Sequence, residues 1–104
     1  MTKAKIEAGN CGFLTEVEAI SKENYIIELS IQSECKHIQK MANTISEVNA
    51  LDEISFRKGM PEILQRGAEY CTHAACPVPV GIIKAVEVAA GFTLPQEAKI
   101  SIEK

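Results

Sequence analysis

A chain of 104 residues, 46% hydrophobic and 24% charged, has the size and composition of one domain built on a single moderate core. Its net charge of −3 and pI near 5.4, with lysines and arginines scattered, leave no basic stripe for nucleic acid. No apolar run approaches the roughly 20 residues of a bilayer span, and Met1-Thr2-Lys3-Ala4-Lys5-Ile6 lacks the apolar stretch of a signal peptide, so a cytoplasmic protein without membrane contact is expected.

Ala4, Ile6 and Ala8 alternate with Lys5 and Glu7, and Phe13, Thr15, Val17 and Ala19 alternate with Glu16 and Glu18. Both runs read as half-buried strands, joined by the turn-forming Gly9-Asn10-Cys11-Gly12. The polar Ser21-Lys22-Glu23-Asn24 precedes a third strand with Tyr25, Ile27, Leu29 and Ile31 on one face. The period then becomes helical: Ile38, Met41, Ala42 and Ile45 share a helix face, with Ser33 available as N-cap. Val48, Leu51 and Ile54 suggest a short turn or helix. Pro61 suits the first turn of a second helix, whose inner face would carry Leu64, Gly67, Ala68 and Cys71. A third helix is expected from about Pro79 to Ala90, stopped by Gly91, and Ala98, Ile100 and Ile102 alternate as a last strand. No repeat or linker divides the chain, so residues 1–104 read as one α+β domain. Its antiparallel sheet would have three N-terminal strands plus a C-terminal strand, with about three helices packed on one face.

The chemistry-bearing feature is a set of four cysteines, Cys11, Cys35, Cys71 and Cys76. In a reducing compartment such thiols serve more often as metal ligands, redox groups or free thiols than as structural disulfides. The up-down-up course of the strands puts Cys11 and Cys35 at one end of the sheet, two strand spacings or roughly 10 Å apart. Cys71 and Cys76 flank a short connection between helices, and their C-x4-C spacing is within the range of thiolate metal sites. Four thiolates would satisfy a tetrahedral zinc or an iron–sulfur cluster, and His73 could replace one of them. The plainer reading is packing, since a free cysteine behaves as a small buried hydrophobe, and Cys71 on an inner helix face fits that as well as it fits ligation. His73 lies in a polar connection and His37 on an exposed helix face, where a solvated role is the commoner one. Phosphate loops, a nucleophile elbow and HExxH-type motifs are absent. The residues thus favour a binding, carrier or structural metal protein over a self-contained enzyme.

Cys76-Pro77-Val78-Pro79, followed by Val80-Gly81-Ile82-Ile83-Lys84, resembles the Cys-Pro-x-Pro helix start of the small TusA-like sulfur carriers, a likeness that covers Cys76 to about Ile102. It implies that Cys76 bears a persulfide as the catalytic residue and that the partner is a redox or sulfur-transfer protein. A helix amino terminus generally favours a thiolate, although Pro77 and Pro79 supply no N–H and leave donation to Val78, Val80 and Gly81. Over its whole length the chain is also similar to a family of short uncharacterised prokaryotic proteins with cysteines in these four contexts, which implies one compact domain and no particular activity. Three expectations result: a zinc or iron–sulfur site, persulfide transfer through Cys76, or a protein-interaction module in which the thiols are incidental.

Overall fold

Alternating side chains build the sheet. In the computed structural model, which describes residues 1–104, β1 (Thr2–Glu7), β2 (Leu14–Ser21) and β3 (Ile26–Ser33) form an antiparallel meander. Its register runs from Thr2↔Ala19 to Glu7↔Leu14 and from Thr15↔Ser33 to Ser21↔Ile27. Ile6, Thr15, Val17, Ala19, Ile27 and Leu29 are buried, while Lys3, Lys5, Glu16 and Glu18 stay exposed. The sheet therefore has one apolar and one wet face, as the period of two dictates. Gly9 and Gly12, at φ 86° and 72°, close the first turn in the left-handed region that a glycine enters without strain.

Three longer helices cover the apolar face. α4 (Val78–Ala89) lies across β1 and β2, α1 (Lys36–Ala42) packs on β3, and α3 (Glu62–Tyr70) fills the space between α1 and α4. Ile38, Met41, Ile63, Val78, Ile82 and Val86 meet Val17, Ala19 and Ile27 in one continuous core. Two glycines permit this closeness. A Cβ on Gly67 would fall 2.6 Å from Cγ of Pro79, and one on Gly81 would fall 2.5 Å from Cδ1 of Ile6.

The α+β class and the antiparallel sheet with helices against it are as the residues indicate, but the fourth strand lies elsewhere. It is β4 (Glu47–Asn49), paired with β3 through Ile26↔Asn49, Ile27↔Val48 and Glu28↔Glu47, and followed directly by α2 (Ala50–Glu53). Three residues are too few for a period to show, so this segment reads as a turn or helix from sequence. The anticipated C-terminal strand is absent: residues 93–104 carry no secondary structure, and Ala98, Ile100 and Ile102 are exposed. Alternation shows that a segment could present two faces to a sheet. It does not put a sheet edge within reach.

Two smaller differences concern the helices. α3 buries Ile63 and Gly67 and half-buries Leu64 and Tyr70, with half-buried Cys71 following, so of the four residues expected on its inner face only Ala68 is exposed; Gly67 meets Pro79 there. Cys35, not Ser33, is the N-cap of α1. The Ser33 hydroxyl instead accepts from the Cys35 N–H at 3.1 Å and lies 2.7 Å from Oγ1 of buried Thr15.

Candidate thiol site

The β1–β2 turn and the end of β3 share one end of the sheet. There the Glu34 N–H donates to the Leu14 carbonyl at 3.2 Å, and the Glu34 carboxylate accepts from the Leu14 N–H at 2.7 Å. Cys35 follows immediately, half-buried at the start of α1. Cys71 ends α3, its N–H donating to the Gly67 carbonyl at 2.8 Å. Cys76 closes the turn between α3 and α4, its N–H donating to the His73 carbonyl at 3.2 Å, and Pro77 after it caps α4.

All four cysteines are free thiols. Cys35, Cys71 and Cys76 pack against the core, whereas Cys11 is exposed in the β1–β2 turn. The Cys71 thiol is pushed up from 9.0 to about 12, first by burial, then by the adjoining Cys76 thiol and by the charge of Cys35. The α3–α4 connection and the start of α1 thus bring Cys76 and Cys35 close enough to oppose a charge on Cys71. A negative charge on Cys71 meets little water and like neighbours.

Cys11 and His73 do not join this trio in a ligating group. His73 is exposed and contributes only its carbonyl to the turn, and His37 is exposed on α1. No group of three or more His, Cys, Asp or Glu side chains is set as it stands to hold a metal ion. What the arrangement offers is a half-buried pair, Cys71 and Cys76, with Cys35 beside it. Such thiols can exchange protons for a thiophilic cation, carry sulfane sulfur, or oxidise to a disulfide.

A buried carboxylate escapes sequence reading. Glu53 is 3% exposed and accepts from the N–H groups of Ile63 (2.8 Å) and Glu62 (3.1 Å), thereby capping α3, whose own N-cap Pro61 has no side-chain acceptor. Burial raises its pKa above 4.5, and this outweighs the two hydrogen bonds that pull the other way. The partners are nine and ten residues away, beyond any local capping pattern. Glu53 also lines a groove of about 250 Å³ with Phe56, Leu64, Val80, Ile83 and Lys84, a surface to which no cysteine contributes.

No helix is long and apolar enough to cross a membrane. No curated protein and no solved structure matches the chain. Residues 2–102 match the Family of unknown function (DUF6951), and with nearly every residue inside that match the chain belongs to this family.

Proposed function

We propose that the protein takes up a thiophilic metal, as zinc or as an iron–sulfur cluster, through Cys35, Cys71 and Cys76, and serves as a carrier or structural metal protein. The supporting observation is the gathering of three half-buried thiols against the core, with Cys76 adjoining Cys71 and Cys35 near it. Burial first, and then repulsion from Cys76 and Cys35, opposes ionisation of Cys71. A divalent cation offsets that repulsion and displaces the proton, so metal uptake would relieve part of what keeps Cys71 protonated. The fourth donor comes from Cys11, carried to the same end by a turn with two left-handed glycines, or from His73 in the 71–76 connection. Uptake includes a local tightening of that connection, because the thiols do not stand at ligating positions beforehand.

Anaerobic loading with zinc, or with ferrous iron and sulfide, followed by desalting and elemental analysis tests this. One bound zinc, or a coloured iron–sulfur protein, is expected for wild type and neither for Cys71→Ser or Cys76→Ser. Cys11→Ser and His73→Ala then separate the two candidate fourth donors. Wild-type protein that retains neither metal sinks the reading.

The position of Cys76, just ahead of α4 and beside Cys71, favours a second reading as a sulfur carrier. In that case the Cys76 thiolate accepts the terminal sulfur of a donor persulfide and releases the donor's thiolate. Incubation with a cysteine desulfurase and cysteine would leave a persulfide on wild type and none on Cys76→Ser, and this result without metal retention would replace the first reading.

A further inference from the structure

After α4 the chain turns at Gly91, and Phe92 stacks on Tyr25 with ring centroids 5.8 Å apart. Tyr25 lies in the β2–β3 turn, so the chain leaves α4 at the end of the sheet where β1 begins. From there residues 93–104 run as an arm through solvent, with Leu94, Ile100 and Ile102 83%, 83% and 88% exposed. Pro95 holds the residue before it extended, which favours an arm that projects. Ala98, Ile100 and Ile102 alternate with Glu97, Lys99, Ser101 and Glu103, the pattern of a strand with one apolar face. Large aliphatic side chains in such a pattern lose hydrophobic free energy while they remain in water.

The sheet offers an edge of matching character. β1 is the first strand in the order β1-β2-β3-β4, and its outer side has no strand partner. Thr2, Ala4 and Ile6 point toward the covered face, and Lys3, Lys5 and Glu7 toward solvent. An antiparallel register that sets Ile100 opposite Ile6 and Ile102 opposite Ala4 keeps the apolar residues on one face. It also sets Lys99 opposite Glu7 and Glu103 opposite Lys3, two pairs of opposite charge.

The arm cannot reach this register on its own β1 by simply running on. It starts where β1 starts, so it would lie parallel to that strand, and the parallel registers that place Ile100 beside Ala4 or Ile6 put Lys99 beside Lys3 or Lys5. Like charges across a strand pair are unfavourable. A second copy approaching from the other side has no such constraint.

The geometry points to an arm-exchanged homodimer: residues 98–103 of each chain add as an antiparallel strand to β1 of the other, and the reciprocal exchange closes with two-fold symmetry. Lys3 and Lys5 guard the bare edge against indiscriminate pairing, and an arm bearing Glu103 and Lys99 is the strand they accept. The interface is independent of the thiol site, since neither β1 nor the arm contains a cysteine.

Sedimentation equilibrium under reducing conditions tests the assembly on the full chain. Wild type is expected as a dimer, and Ile100→Asp with Ile102→Asp as a monomer that keeps the far-ultraviolet circular dichroism of the folded domain. Lys3→Glu alone should weaken dimerisation by roughly ten-fold, and adding Glu103→Lys should recover it. A wild-type monomer at every concentration overturns the proposal, as does a dimer that survives both isoleucine replacements. Slow amide exchange at residues 98–102 in a wild-type monomer would overturn it too, assigning the arm to its own sheet.

Discussion

Two residues carry ionisations that the fold disfavours, and each gives stability a definite pH dependence. Glu53 keeps its proton to a higher pH when folded than when unfolded, because burial outweighs its hydrogen bonds to Ile63 and Glu62 and the charges of Glu62 and Asp52 add to the effect. The unfolded chain therefore releases this proton first, and the contribution of Glu53 to stability falls as pH rises through the window above 4.5. Urea midpoints measured from neutral pH down to that value should rise for wild type relative to Glu53→Gln, in which this component is absent; parallel profiles would contradict the assignment. Glu53→Ala strands the buried Ile63 N–H and should lower stability by about 2 kcal/mol, read from the same denaturation curves. Cys71 behaves likewise in the alkaline range, with its folded thiol at about 12. It should be the slowest cysteine to react with iodoacetamide in native metal-free protein, and the difference should vanish in denaturant. Rapid alkylation of Cys71 at neutral pH would show that its burial and its thiol neighbours are not as described.

Among the elements, the crossing of α3 and α4 is the most exacting, because Gly67 leaves no space for a side chain against Pro79. Gly67→Ala should cost about 1–3 kcal/mol through displacement of α4, despite the better helix propensity of alanine. A neutral or stabilising effect in thermal unfolding would mean that the helices separate easily. This contact also explains which parts of the helices could be read from sequence. The extent of α4 follows from Pro79 and Gly91, since a proline suits a first turn and a glycine ends a helix by entering positive φ, here 80°. The buried face of α3 follows from its own residues only in part: Gly67 is buried and Leu64 and Cys71 half-buried as their spacing indicates, but Ala68 is not. Ala68 is apolar yet exposed, while Gly67 beside it closes on Pro79 and Ile63 is fully buried.

For the whole molecule, metal uptake and folding are linked, because a cation held by Cys35, Cys71 and Cys76 would bind the folded arrangement in preference to a dispersed chain. Free zinc at 100 times its Kd should add about 2.7 kcal/mol, a rise in Tm on the order of 10 °C, and a chelator should reverse it. Equal melting of loaded and chelated protein would remove the metal from the fold. The sequence by itself determined the three long strands, the polar and apolar faces of the sheet, the placement of Cys11 and Cys35 in its connections, and the start and stop of α4. These depend on side-chain period and on backbone preferences of glycine and proline, which act between near neighbours. Only the tertiary structure decided that the fourth strand is Glu47–Asn49, that residues 93–104 leave the domain as an arm, that Glu53 caps α3, and that Cys35 rather than Cys11 stands beside Cys71 and Cys76. Each of these brings together groups distant along the chain, or parts groups a local pattern would have joined, and their positions are fixed by which surfaces can be buried at the same time.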